Sequence, residues 1–241
     1  MATRLIYMEQ KQLFNHQTKV VSVTDDQGRI VVELDETIFY PQGGGQPYDQ
    51  GYIKSENGIF KVEEVRFTDG IVKHIGAFES GHFGAGDSVS LEIDADRRQL
   101  HMRLHSAGHV LDMAVSKLGM DWVPGKGYHF PDGPYVEYSG VLSEDIDREK
   151  LRSDIETVAN GFIAEGALTS IRFMPKEEMH TVCRHVPDYL PEGKPARVVL
   201  YGTFGVPCGG THVANLADIG NLSIRKVGVK NGMIKVSYNI D

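Results

Sequence analysis

The chain has 241 residues, of which 24% are charged and 41% hydrophobic, and its formal net charge is −8. This composition is typical of a water-soluble globular protein, and the acidic total disfavours a general high-affinity nucleic-acid binder. No apolar run approaches the roughly 18 residues of a membrane span, and the N-terminus lacks the apolar segment of a signal peptide. Because two cysteines cannot build a disulfide framework, we expect a cytoplasmic protein without a membrane partner.

The first ninety or so residues consist of short apolar runs separated by turn signals. Many short strands of this kind predict a small β-barrel or sandwich, and we assign residues 1–92 to a β-barrel domain. Helix is expected at most in the first dozen residues. The apolar runs cover residues 19–23, 29–34, 59–62 and 89–93, and the turn signals fall at 26–28, 57–58, 69–70 and 84–87.

Three consecutive glycines, Gly43, Gly44 and Gly45, lie inside this part of the chain and are followed by Gln46 and Pro47. Glycines permit close backbone approach, and exposed amides in such a loop can cradle a phosphate or a carboxylate. The alternative is a wide turn between strands that Pro47 closes. Glycine content alone favours the turn.

Two helices are predicted in the second part of the chain. One begins near Asp96 and ends at Gly119, and the other runs from Ser143 as N-cap to Gly166 as stop signal. The apolar stripe of the first helix consists of Leu100, Leu104, Ala107, Leu111, Ala114 and Leu118, and that of the second of Leu151, Ile155, Val158 and Phe162.

Strands are predicted around these helices, and turns at residues 125–127 and 131–134. Asn231-Gly232 predicts a closing hairpin between the last two strands. The predicted strands cover residues 135–138, 169–174, 197–201, 222–227 and 233–238. The overall fold class is therefore α+β, with a domain at residues 93–241 in which helices pack on one face of a mainly antiparallel sheet.

Two short motifs carry metal-binding chemistry. His105 and His109 in HSAGH stand one helical turn apart, and Cys208 and His212 in CGGTH have the same spacing. Either pair alone is a weak signal, because half-buried histidines and glycine-rich loops with a buried thiol are common. Together they supply the imidazole and thiolate donors that zinc prefers, so we predict a Zn²⁺ site. Cys183 and His185 are two residues apart, and we interpret them as structural.

With HSAGH, CGGTH and the upstream FYPQGGGQPYDQG, the chain resembles the AlaX proteins, free-standing relatives of the editing domain of alanyl-tRNA synthetase. Those proteins hydrolyse the ester of tRNA(Ala) wrongly charged with serine or glycine. The two metal motifs also occur in editing domains of threonyl-tRNA synthetases. The glycine-rich stretch, together with Ile219-Gly220 and Ile224-Arg225-Lys226, resembles the alanyl branch, and the similarity spans about residues 30–240.

The resemblance implies a β-barrel related to a translation-factor barrel, followed by a zinc-containing editing domain. It implies that the metal ligands are His105, His109, Cys208 and His212, and that Gly43 to Gln46 form a functional element beside the substrate rather than a mere turn. The expected activity is trans-editing deacylation of seryl- or glycyl-tRNA(Ala). Aminoacylation is not expected, since class II synthetase motifs and an ATP-binding core have no visible counterpart.

In the expected mechanism, zinc activates a water or positions the substrate, and His105, His109 and His212 are the catalytic candidates. If one ligand stands off, His212 could act as a base or orient the water. The predicted tRNA contacts are Gly43, Gly44, Gly45, Gln46, Arg97, Arg98, Arg225 and Lys226, and Arg103 and Lys230 are further basic candidates.

Of three other function classes, the sequence disfavours one and leaves two as alternatives. A zinc peptidase is disfavoured, because Ser106 stands where the HExxH motif needs glutamate. A zinc-stabilised tRNA-binding module without hydrolase activity and a threonyl-type editing domain remain alternatives.

Overall fold

The computed structural model of the chain describes residues 2–10, 12–26, 28–190 and 192–241. Its backbone contacts divide the chain into two compact units: residues 1–43 with 47–100, and residues 44–46 with 101–241. The predicted domain boundary at 92/93 lies a few residues before this division. Within the described residues, no helix combines the length and the apolarity needed to cross a membrane.

The first unit is built around a closed six-stranded antiparallel barrel, as the alternating apolar runs predict. The barrel order is β2-β3-β7-β6-β5-β8, and β1 pairs with β4 in parallel beside it. A 3₁₀ turn at Ile6–Met8 is the helical element near the N-terminus. The strands are β1 (Arg4–Leu5), β2 (Asn15–Asp26), β3 (Arg29–Leu34), β4 (Glu36–Thr37), β5 (Gly51–Lys54), β6 (Gly58–Thr68), β7 (Ile71–Gly81) and β8 (Ser88–Ile93).

The second unit contains the two predicted helices and two antiparallel sheets, ordered β14-β15-β10-β9 and β11-β12-β13. The α+β fold class is therefore confirmed, with two sheets where one was expected. The elements are α1 (Ala95–Lys117), β9 (Val123–Tyr128), β10 (Tyr135–Ser139), α2 (Arg148–Glu165), β11 (Thr169–Met174), β12 (Ala196–Tyr201), β13 (Phe204–Pro207), β14 (Leu222–Lys230) and β15 (Met233–Ile240), with 3₁₀ turns at Lys176–Thr181 and Leu216–Ile219.

Helix α1 is more deeply buried than a single apolar stripe predicts. Leu100, at the start of the predicted stripe, is 36% exposed, whereas Val110 and Val115 outside it are buried. Packing on more than one side explains this pattern. The predicted stop is confirmed, because Gly119 adopts a φ of 72° and Met120 N–H bonds to the Val115 carbonyl, as in a Schellman cap.

Two predictions of local structure are wrong. The N-cap of α2 is Asp147 rather than Ser143, since the Asp147 carboxylate accepts hydrogen bonds from the backbone N–H groups of residues 149 and 150. Residues 125–127 form part of β9 rather than a turn. There the pairing with β10 overrides the turn preference of Gly125 and Gly127.

Candidate metal centre

The four predicted ligands come together in the second unit. Helix α1 presents His105 and His109 one turn apart, and the irregular loop after β13 presents Cys208 and His212. One ligand atom from each of the four residues lies within 4.8 Å of the others. The His105 Nε2 atom is 3.4 Å from the Cys208 sulfur. The fold thus joins two motifs that are about a hundred residues apart in sequence.

This donor set fits a divalent metal ion. Tetrahedral zinc with nitrogen and sulfur ligands requires donor atoms roughly 3.3–3.6 Å apart, which the His105–Cys208 separation matches. Other pairs of ligand atoms lie up to 4.8 Å apart, and they would have to approach one another by about 1 Å to bind one zinc ion. Among the described residues, the buried Nε2 of His109 makes no hydrogen bond of good geometry. Three imidazoles with one thiol form a set that zinc favours.

Each of the three imidazoles is held through its Nδ1 atom, which leaves Nε2 for the centre of the cluster. Such outer partners fix the orientation and the tautomer of metal-binding histidines. The pairs are His105 with Gln46 Oε1 at 2.8 Å, His109 with Asp112 Oδ2 at 3.2 Å, and His212 with Tyr201 Oη at 2.8 Å.

Gln46, the residue after the three glycines, is fully buried behind His105. Its Oε1 also accepts a hydrogen bond from Thr211 N–H, and its Nε2 donates to Thr211 Oγ1. Because Oε1 is the acceptor, the His105 Nδ1 atom must carry the proton. The prediction that Gln46 contacts tRNA through its side chain is therefore corrected, since that side chain is buried, holds the predicted ligand His105 and does not reach the surface.

Two further supporting residues were missed in the sequence. Arg197 is buried, and its Nη1 donates to the carbonyl oxygens of Cys208 at 2.6 Å and Gly210 at 2.9 Å, so it braces the CGGTH loop. An arginine beginning an apolar strand was the available signal. Asp112 follows His109 by three residues on α1 and also accepts a hydrogen bond from Tyr138. Its helical spacing from His109 could have identified it.

The electrostatics of the cluster couple His109 to Cys208. Burial lowers the pKa of His109, but the hydrogen bond to Asp112 and the adjacent Cys208 outweigh it and raise that pKa to about 10. Burial raises the pKa of Cys208, but its interaction with His109 outweighs this and lowers it. Burial and the neighbouring His129 hold the pKa of His105 well below its usual value. A metal ion bound by these residues would therefore displace a proton from His109 and would meet a thiolate and a neutral His105.

A further histidine packs against the cluster without belonging to the predicted set. His129 stacks on His105, with ring centroids 4.5 Å apart and an interplanar angle of 19°. Its Nδ1 lies 2.8 Å from Tyr238 Oη, and that hydroxyl donates to the Leu104 carbonyl. The Tyr238 oxygen therefore accepts the His129 proton, so the stacked ring is fixed in one tautomer.

The glycines of the motifs make room for these two rings. A Cβ on Gly210 would lie under 3.0 Å from the His105 ring, and one on Gly108 would lie equally close to the His129 ring. Gly45 has a φ of 76°, and a Cβ there would overlap a backbone carbonyl of β9. Close packing around two imidazoles thus explains why glycine occupies these positions.

Replacement of Gly210 by alanine is expected to weaken zinc binding about 10- to 100-fold, as happens when a ligand's outer partner is lost. The added methyl group would push His105 away from Gln46. Competition with a chromogenic chelator measures the affinity. The matched control is Gly161→Ala in α2, where a Cβ meets nothing within 4 Å and helix stability should rise slightly. Equal zinc affinity in both variants would contradict this packing role.

A second predicted tRNA contact, Arg98, is buried inside the first unit. Arg98 is fully buried and forms an ion pair with Asp49, and its Nη2 donates to the Ile38 carbonyl at 2.7 Å. Asp49 also accepts from the Tyr40 backbone N–H at 2.7 Å. The prediction for Arg98 is therefore corrected. A buried guanidinium that neutralises a carboxylate holds the chain after the glycine-rich segment and does not meet phosphate.

The other predicted tRNA contacts lie closer to solvent. Arg97 is half-buried in the first unit, where its guanidinium lies 5.5 Å from the Tyr48 ring centroid. Arg225 and Lys226 are exposed on β14 of the second unit. The glycines are exposed at Gly43 and Gly44 and half-buried at Gly45. These positions remain predictions for RNA contact.

Comparison with known proteins gives a consistent set of relatives. The family described as class II (A) tRNA synthetases matches residues 4–97. The alanyl-tRNA editing protein AlaX-M of Methanosarcina barkeri is 32% identical over 234 residues, which cover 93% of each chain. AlaX-L of Pyrococcus horikoshii is 29% identical over 91% of this chain and 53% of its own.

Alanine–tRNA ligases match the same region as part of much longer proteins. That of Methanothrix thermoacetophila is 34% identical over 211 residues, which are 86% of this chain and 23% of the ligase. The chain thus spans about a quarter of the length of these ligases, whereas it covers nearly all of AlaX-M. The chain belongs to the family of AlaX alanyl-tRNA editing proteins.

Proposed function

We propose that this protein is a cytoplasmic trans-editing hydrolase, which cleaves the ester of tRNA(Ala) wrongly charged with serine or glycine. The observation that carries the proposal is the cluster of His105, His109, Cys208 and His212 within 4.8 Å, which we assign to Zn²⁺. Relatives named alanyl-tRNA editing proteins support the substrate class. We retain residues 1–92 as the barrel domain and 93–241 as the editing domain.

The proposed chemistry depends on how the chain holds its histidines. Bound zinc would supply Lewis acidity beside the ester carbonyl. Gln46 and Asp112 would accept the Nδ1 protons of His105 and His109, so these rings would turn Nε2 towards a metal ion, which binds His109 once that ring has lost its second proton.

Catalysis needs one coordination position open, so in the proposed active form three residues of the cluster, His105, His109 and Cys208, would bind zinc, and His212 would stand off as the proton acceptor. Burial raises the pKa of Tyr201 well above its usual value, so its side chain stays a neutral hydroxyl, whose oxygen would accept a hydrogen bond from the His212 Nδ1–H group and leave Nε2 as the basic nitrogen. The Nε2 atom of His212 can then take a proton from the attacking water.

Deacylation of purified charged tRNA tests the proposal. We expect fast loss of serine or glycine from tRNA(Ala), retention of alanine, abolition of activity by a chelator and recovery with added zinc. A zinc-loaded protein that binds the tRNA but hydrolyses none of these esters would instead be a zinc-stabilised tRNA-binding module. Cleavage of seryl-tRNA(Thr) in preference to seryl-tRNA(Ala) would identify a threonyl-type editor.

A further inference from the structure

The four-stranded sheet β14-β15-β10-β9 has one face buried in the core of the second unit and one face open. The buried face carries Val136, Tyr138, Ile234, Val236 and Tyr238. Because side chains alternate along a strand, the residues between these point to the other side, which we call the outer sheet face. Strand register places Lys226, Ser237, Tyr135 and Tyr128 in one row across it.

Aromatic rings are stacked on this outer sheet face. The Tyr128 ring lies between Phe130, at 4.5 Å and 15°, and Tyr135, at 5.3 Å and 16°. The Lys235 Nζ atom is 3.2 Å from the Tyr135 ring centroid. These rings are only half-buried. A row of parallel, partly exposed aromatic rings beside a cation is the arrangement that proteins use to stack on unpaired bases.

The same face is positively charged, although the whole chain has a net charge of −8. Two carboxylates, Asp132 and Glu137, accompany five cations, which are Lys126, Arg225, Lys226, Lys230 and Lys235. Among the described residues, Lys126, Lys226 and Lys230 belong to no ion pair. Burial, Lys230 and Arg225 together outweigh Glu137 and lower the pKa of Lys235, as expected where cations lie close together.

The stacked rings on the outer sheet face are close in sequence to a residue of the metal centre. Tyr128 and Phe130 flank His129, whose ring points inward and stacks on the predicted ligand His105. A nucleic acid lying along the outer sheet face would therefore pass the end of β9, where the next residue, His129, packs against the metal centre.

We infer that the outer sheet face binds the unpaired RNA next to the aminoacylated end of the tRNA, with bases extending the stack at Phe130 and phosphates meeting the lysines. This inference rests on the proposed function for its choice of RNA. The charge favours a polyanion, and the stacked rings favour unpaired bases over a duplex, whose bases already stack on one another.

The charge part is tested with Lys226→Gln/Lys230→Gln, and Lys19→Gln/Lys61→Gln on the barrel strands is the control with the same charge change. Binding of uncharged tRNA(Ala) is measured by fluorescence anisotropy across salt concentrations. We expect the outer-face variant to bind about tenfold more weakly and its log–log salt slope to fall by about 1–2, since each lost phosphate contact removes roughly 0.7–0.9. The barrel control should match the wild type.

The stacking part is tested with Phe130→Leu, which keeps an apolar side chain but cannot stack on a base. We expect about tenfold weaker binding of intact tRNA, and no change for tRNA that lacks its unpaired 3′ nucleotides. Circular dichroism checks that the variant is folded, and Phe130→Tyr should restore binding. Equal losses for both tRNAs, or no loss for either, would overturn this assignment of the face.

A small ester separates this inference from the proposed function. Hydrolysis of a seryl ester of adenosine should be the same in the wild type and in Phe130→Leu, because the substrate has no upstream RNA. If the wild type hydrolyses neither this ester nor charged tRNA, the proposed function fails, and the binding data still decide the inference. Unchanged tRNA affinity and salt slope in the outer-face variants would refute the inference whatever the hydrolysis shows.

Discussion

Replacement of Cys208 by alanine is expected to reduce bound zinc to a small fraction of one ion per chain and to slow deacylation at least about 100-fold. The thiol is the one sulfur donor of the cluster, and its thiolate offsets part of the charge of a divalent ion. The variant also removes the partner that lies beside His109. Zinc content measured by elemental analysis, together with single-turnover hydrolysis of seryl-tRNA(Ala), checks both effects.

The matched control is the chain's other cysteine. Cys183 is buried beside Met179, Val198 and Leu200, and burial raises the pKa of its thiol to about 11. Cys183→Ala should therefore keep its zinc and activity and lose about 1 kcal/mol of stability. Wild-type zinc and activity in Cys208→Ala would refute the metal site. Loss of zinc in both variants would attribute the effect to unfolding rather than to a missing ligand.

Features with short sequence spacing were the ones that sequence could predict. Zinc favours imidazole nitrogen and thiolate sulfur, and pairing His105 with His109 and Cys208 with His212 puts two candidate donors into each local segment. The barrel followed from alternating apolar runs, and the closing hairpin from Asn231-Gly232, which both adopt positive φ in the structure. In each case a local pattern carries the structural information.

Apart from Asp112, which is three residues from His109 on the same helix, the residues that support the predicted ligands could not be predicted in the same way. Gln46 reaches His105 across 59 residues, and His129 reaches Tyr238 across 109. Such contacts depend on how the secondary-structure elements pack, and no local sequence pattern predicts them. Arg98 shows the opposite error, since a charged residue at a helix start looks exposed until its buried partner Asp49 is known.

The acidic total charge of the chain does not describe the charge of the outer sheet face. A net charge describes the whole chain, whereas binding depends on the charge of one face. The register of β14, β15, β10 and β9 brings Lys226, Lys230 and Lys235 to a single side of one sheet. Neither the acidic composition nor the separate lysines in the sequence indicate that arrangement.

Acidification is expected to destabilise the barrel through His74, by about 2 kcal/mol between pH 7 and pH 5. His74 is fully buried, and desolvation lowers its pKa from 6.5 to about 4. Its Nδ1–H donates to the Val32 carbonyl and its Nε2 accepts from the Thr37 hydroxyl, both at 2.9 Å, so the folded barrel needs the neutral ring. Above pH 6.5 both folded and unfolded states are neutral here, and stability is at its full value. As pH falls from 6.5 to 4, His74 binds a proton in the unfolded chain but not in the folded chain, so the free energy of unfolding decreases.

Comparison of the wild type with His74→Asn isolates this contribution, because asparagine does not titrate and its amide can still donate to Val32. The variant should be less stable at pH 7 but lose about 2 kcal/mol less on acidification to pH 5. Urea unfolding followed by far-UV circular dichroism reports on both units, while fluorescence of Trp122, the chain's one tryptophan, reports on the second unit, so the barrel transition is the part of the dichroism change that the Trp122 signal lacks. His82→Asn, at an exposed position just after β7, controls for loss of a histidine in general. If wild type and His74→Asn lose stability in parallel, the buried ring is not the barrel's acid-sensitive group, and the neutral hydrogen-bond pattern at Thr37 and Val32 is wrong.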